Sequence, residues 1–160
     1  MLTPCVIWIG IENIIHTYAG IQLRNECDRI ITMQGHEEET GCAKITSAYN
    51  LPSKYVIHTV GTIVSGNVRN ENKEELKSCY MSCLKLADEN ELDSIAFCCI
   101  STGVFGFPNE LAAEIAVNTV REYKSVAKRK LEVIFNVFKE CDYEIYKKLL
   151  GRYKTSQRKN

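Results

Sequence analysis

The residues best suited to chemistry lie in one short run, Ser101-Thr102-Gly103-Val104-Phe105-Gly106-Phe107-Pro108. Its glycines let the backbone turn through positive φ and let a ligand approach the amide N–H groups. A helix opened by Pro108 would aim the positive end of its dipole at the same place. Together these features describe a phosphate cradle. No lysine follows the second glycine, so the run is not a Walker loop and gives no argument for ATP hydrolysis. Glycine-rich turns also join strands to helices where no ligand binds, so the run has a purely structural alternative.

Other reactive side chains have simpler explanations. Glu12 stands ahead of a helical stretch, where it could serve as a catalytic carboxylate or as an N-terminal charge favoured by the dipole. His58 falls inside a strand and reads as a satisfied sheet residue, and His16 faces a neighbour along a helix. His36, beside Glu37, Glu38 and Glu39, reads as part of a solvated turn. Cys79 and Cys83 are spaced i, i+4 on one helix face, which would give half a metal site, but no second Cys/His pair has the spacing of a closed zinc site. Core packing is the expectation for both. Most of the eight cysteines sit in apolar-periodic segments, which fits free thiols in a reducing compartment.

The elements that must position the run follow from periodicity. Apolar residues from Ile14 to Ile31 recur at helical spacing, broken at Gly20 and stopped at Gly35. Strands are predicted over Ala43–Ala48, Lys54–Val60, Ser94–Ile100 and Leu131–Phe138, and helices over Asn72–Asn90, Asn109–Lys124 and Asp142–Tyr153. Ser94–Ile100 is apolar almost throughout, as a parallel strand covered on both faces would be. This alternation predicts an α/β domain with a largely parallel central sheet, whose ligands bind beyond the strand ends at Val60, Ile100 and Phe138.

The 160 residues are enough for one domain, taken as 1–153 with 154–160 as a flexible tail. With 45% hydrophobic and 25% charged residues, and 20 basic against 20 acidic, the chain reads as a globular protein with no basic surface for nucleic acid. Lys128-Arg129-Lys130 and Arg152–Lys159 read as solvated surface. No apolar run approaches the ~20 residues that span a bilayer, and the first ten residues lack a basic signal-peptide region. The expectation is a cytoplasmic protein with no membrane partner.

Three blocks in order resemble the macrodomain family. The run Ile100–Pro108, followed by Ala112-Ala113-Glu114-Ile115-Ala116, resembles its second phosphate loop. Thr46–Gly61 resembles the strand ending in His-Thr-Val-Gly, and Ile134–Phe138 resembles the last strand. The segments Glu12–Gly20 and Gly35–Gly41 are most similar to the zinc-containing macrodomains that remove ADP-ribosyl groups from proteins. The resemblance implies a three-layer α/β/α fold and ADP-ribose or an ADP-ribosylated protein as partner. It implies that Ser101, Thr102, Gly103, Val104, Phe105 and Gly106 hold the diphosphate, with Phe105 closing over the proximal ribose. Asn136 and Phe138 would lie near the distal ribose and adenine, with Ile11 and Glu12 in the place of a binding Ile-Asp pair.

The sequence departs from that pattern ahead of Glu12. The family's first strands, with an acidic residue for adenine and an Asn-Ala-Ala-Asn segment, are not found, so an N-terminally incomplete sheet is expected. Its open edge would favour homo-oligomers. The positions of the zinc subgroup's three metal ligands read Thr3, Trp8 and Gly10, and Cys5 alone does not make a site that needs three or four ligands. No metal or other cofactor is therefore expected. Two functions follow: an ADP-ribose-binding domain related to protein ADP-ribosyl hydrolases, with catalysis left open, or a non-catalytic interaction or regulatory remnant that binds no ligand.

Overall fold

The computed structural model describes residues 5–7 and 12–156, with side chains described over 14–151. In chain order the elements are β1 (Cys5–Ile7), α1 (Glu12–Ala19), α2 (Ile21–Gln34), β2 (Ala43–Ser47), β3 (Tyr55–Thr59), α3 (Asn70–Glu89), β4 (Ser94–Phe97), α4 (Asn109–Val126), β5 (Glu132–Phe135) and α5 (Glu140–Ser156). The five strands form one sheet in the order β2-β3-β1-β4-β5. Only the β2–β3 pair is antiparallel; β3–β1, β1–β4 and β4–β5 run parallel.

The expected boundaries hold at the glycines. Gly20 lies between α1 and α2 at φ +90°, and Gly35 ends α2 at φ +77°, its N–H bonded to the Ile31 carbonyl. The strands are shorter than their apolar runs predict. β4 stops at Phe97 and β5 at Phe135, so Cys98–Ile100 and Asn136–Phe138 lie beyond the strands, although the Asn136 N–H still donates to the Phe97 carbonyl at 2.7 Å. α5 begins at Glu140 and continues through Ser156, past the expected start of a tail; residues 157–160 lie outside the described part. Periodicity predicts no element before Ile11, yet β1 lies there, in the middle of the sheet. It pairs Cys5, Val6 and Ile7 with Val56, Ile57 and His58 on one side, and Cys5 with Ala96 on the other.

Alternation along the strands divides the core in two. Ile57, Ile95 and Phe97 point to the face covered by α3, α4 and α5, where they meet Leu76, Tyr80, Cys83, Leu84, Ala116 and Val117. Val56 points to the other face, against Ala19 and Leu23 of α1 and α2. Helices thus lie on both faces of the sheet, as expected of a three-layer fold. The Phe97 ring stands 5.0 Å from Tyr80 and 6.3 Å from Phe135, and Phe135 is 4.9 Å from Tyr146, an aromatic row that ties the sheet to α3 and α5. Among the described residues no helix is long and apolar enough to cross a membrane.

His58 is a sheet residue with partners, as its position in the strand suggests. Its Nε2 lies 2.9 Å from the Thr46 hydroxyl and 4.0 Å from the Cys27 sulfur, beneath α2. Burial, helped by the field of nearby His16, lowers its pKa from 6.5 to about 4. The folded state therefore binds fewer protons than the unfolded chain between these values. Its contribution is fully present above pH 6.5 and is lost as pH falls towards 4. Chemical denaturation of wild type should show that loss, and His58→Gln should flatten the pH dependence over this window. An equally steep fall in the variant would contradict the assignment.

Candidate functional site

Three connections leave the carboxyl ends of parallel strands β3, β4 and β5, the edge at which α/β sheets place ligands. The β4–α4 connection is anchored at both ends. The Ile100 N–H donates to the Tyr80 hydroxyl at 3.4 Å, and the Phe107 N–H closes the loop onto the Ser101 carbonyl at 2.9 Å. Ile100 and Phe107 are themselves buried. Between these anchors the backbone takes unusual conformations. Ser101 is fully buried at φ +64°, a left-handed geometry that costs a non-glycine residue on the order of 1 kcal/mol or more. Gly106, at φ +68°, relieves the same constraint where its Cβ would approach the Val64 carbonyl to 3.4 Å.

The consequence is a row of amides turned outward. The Gly106 N–H is taken by the Gly103 carbonyl, but the N–H groups of Thr102, Gly103 and Val104 meet no acceptor among the described residues. A Cβ built on Gly103 would point into open space. The Ser101 hydroxyl is buried without a hydrogen-bond partner, while the Thr102 hydroxyl donates to the Cys99 carbonyl. α4 starts directly after Pro108, and its first residue, Asn109, donates through its side-chain amide to Asp142 in the first turn of α5. An anion laid on this loop would meet three amides and the positive end of an 18-residue helix.

The other sequence-predicted residues are placed less completely. Ile11 lies outside the described residues. Glu12 opens α1, and its side chain also lies outside them. Asn136 sits next to the loop's parent strand, its N–H bonded to the Phe97 carbonyl at 2.7 Å. Phe138, two residues on, is fully exposed and packs on no neighbour. His36 stays within its own turn, with Nδ1 2.8 Å from the Glu37 carbonyl. Cys79 and Cys83 are buried in the core, and burial pushes the Cys79 thiol up to about 11, so it is no nucleophile at neutral pH. Among the described residues no three His, Cys, Asp or Glu side chains converge as metal ligands.

Among the described residues, two of the cavities flank the sheet. The larger, about 720 Å³, is apolar and runs between α4, α5 and β5 along Val120, Phe135 and Tyr146, touching no residue of the 101–106 loop. The smaller, about 340 Å³, lies past the end of β3 and is lined in part by Phe105 of that loop. We give it more functional weight because it is polar and adjoins the amide row. Its walls include a network that the sequence reading did not single out. The Thr62 hydroxyl donates to Glu75 and accepts from the Asn72 amide, whose oxygen takes the Arg69 N–H. The sequence carried half of that signal, since Thr62 follows the strand end at Val60. Asn72 and Glu75, at i, i+3, looked like ordinary solvated positions of a helix.

A model of the Macro domain family matches residues 8–116. The chain is 56% identical over 141 residues to a protein-ADP-ribose hydrolase of Treponema medium, a match covering 88% of this chain and 54% of that protein. It is 47% identical over 145 residues to the human ADP-ribose glycohydrolase MACROD2, covering 90% of this chain and 33% of that one. The chain thus spans about half the length of the bacterial relative. Among solved structures, the Oceanobacillus iheyensis macrodomain with ADP superposes with a TM-score of 0.87 at 33% identity, covering 97% of this chain and 86% of that one. The Trypanosoma brucei macrodomain in complex with ADP-ribose superposes with a TM-score of 0.80 at 34% identity, covering 93% and 63%. With a family model over most of its length and a shared fold, the chain belongs to the Macro domain family.

Proposed function

We propose that this domain binds ADP-ribose, alone or attached to a protein, with its diphosphate on the amides of Thr102, Gly103 and Val104. The observation that carries this reading is that row of N–H groups, without an acceptor among the described residues, in the loop that leads into α4. It has the chemistry a diphosphate requires, and two family members are described as bound to ADP and to ADP-ribose. Phe105, beside the row and half-buried, is the residue to cover the proximal ribose. Asn136, adjacent to the loop through Phe97, is the candidate for the distal ribose. Phe138 would reach adenine from its exposed position past β5.

Relatives named as hydrolases of protein-linked ADP-ribose favour a second reading, in which the domain also takes part in removing the group. Glu12, at the start of α1, is the candidate carboxylate. Zinc does not fit this chain's donor set. The three positions that would carry ligands in the zinc subgroup read Thr3, Trp8 and Gly10, none of which supplies a thiolate or imidazole.

Isothermal titration calorimetry tests the binding site. Wild type should release or absorb heat on addition of ADP-ribose, and Gly103→Val, whose side chain would enter the open space beside Gly103, should abolish it. Unchanged affinity in a folded variant would remove the loop from the site. Prior treatment with EDTA should leave the wild-type affinity within about twofold; a loss that zinc restores would show that the chain assembles a metal site after all.

A further inference from the structure

The cavity beyond β3 is built to accept hydrogen bonds. Asn72 and Thr62 are buried, and each polar atom of their side chains is committed. The Asn72 oxygen takes the Arg69 N–H at 3.0 Å, and its amide donates to the Thr62 hydroxyl at 2.9 Å and, at 3.4 Å, to the Ile63 carbonyl. Thr62 passes its own proton to one oxygen of Glu75. The relay fixes the carboxylate and leaves its other oxygen without a partner among the described residues. Arg69 lines the same cavity, yet no ion pair joins it to Glu75 there. Glu71, in the first turn of α3, is accounted for by the helix dipole; Glu75, a turn later, is not. A half-buried carboxylate that accepts from buried Thr62, itself held by buried Asn72, has an orientation suited to binding a donor, above all a cation.

The cavity's position suggests which donor. Phe105 lines it, directly after the amides of Thr102–Val104, and the Val64 N–H holds the Phe105 carbonyl at 2.9 Å, so the two loops form one wall. At about 340 Å³ it has room for a long side chain. We propose that this cavity receives a lysine or arginine side chain of the polypeptide carrying the ADP-ribosyl group, with Glu75 as its acceptor. The domain would then read the protein beside the modification as well as the ADP-ribose. This inference rests on the ADP-ribose reading of the neighbouring loop.

The test compares three probes by calorimetry: free ADP-ribose, an ADP-ribosylated peptide with lysine and arginine flanking the modified residue, and the same peptide with glutamates in their place. Wild type should bind the basic peptide about tenfold more tightly than the acidic one, the size expected of one charge-assisted hydrogen bond. Glu75→Gln should lose that preference while keeping its affinity for free ADP-ribose within about twofold. Equal binding of both peptides by wild type overturns the inference whatever the variant does. A preference that survives Glu75→Gln overturns it too, as does an equal loss for all three probes, which would mean that Glu75 only shapes the loop. If wild type binds none of the probes, free ADP-ribose included, the reading of the loop falls and takes the inference with it. Binding of free ADP-ribose without discrimination sinks the inference alone.

Discussion

Keeping three consecutive backbone N–H groups away from every acceptor among the described residues is the constraint on which the rest of the site depends. Left to itself, a glycine-containing segment would fold onto its own carbonyls or fluctuate in water. Here the segment is pinned between buried Ile100 and buried Phe107, and the Phe107 N–H closes it onto Ser101. The left-handed Ser101 is tolerated because the surrounding core over-determines it. Tyr80, fully buried against Phe97, presents its hydroxyl to the Ile100 N–H, so the packing of α3 on the sheet sets the entry to the loop. Precision in the loop is inherited from an aromatic core that has no chemistry of its own.

The same logic explains why the reactive-looking side chains are quiet. Burial drives the Cys79 and Cys99 thiols up to about 11 and His58 down to about 4. Each shift opposes the charged form, so these groups pack and do not react at neutral pH. Of the polar groups, the Thr102–Val104 amides lie in the β4–α4 loop and the Glu75 carboxylate on α3 against the loop that follows β3, at one end of the sheet. They offer donors on one side and an acceptor on the other, which suits a ligand that is anionic at its diphosphate and attached to a polypeptide.

Much of this was legible in sequence because it is local. Glycines at 20, 35 and 106 occupy positive-φ positions, and Pro108 stands where its missing N–H costs nothing. Helical periodicity found α1 to α5, with ends that shifted by a few residues. β1 escaped because three residues are too few to show a period, although Cys5-Val6-Ile7 between Pro4 and Gly10 has strand composition. The lengths of β4 and β5 were overestimated because a continuous apolar run says what is buried, not where ladder bonds stop. The Thr62–Asn72–Glu75 relay could not be read at all, since it exists only once the loop after β3 folds over the first turns of α3. The positions of Asn136 and Phe138 came from family likeness, and the fold supplies a contact with the loop's parent strand for the first only.

Whether the amides of Thr102, Gly103 and Val104 form the ligand cradle can be read from their backbone amide resonances during titration with ADP-ribose. These three signals should show the largest shifts and gain protection from hydrogen exchange. Largest shifts along the apolar groove between α4 and α5, with the three loop amides unmoved, would contradict it.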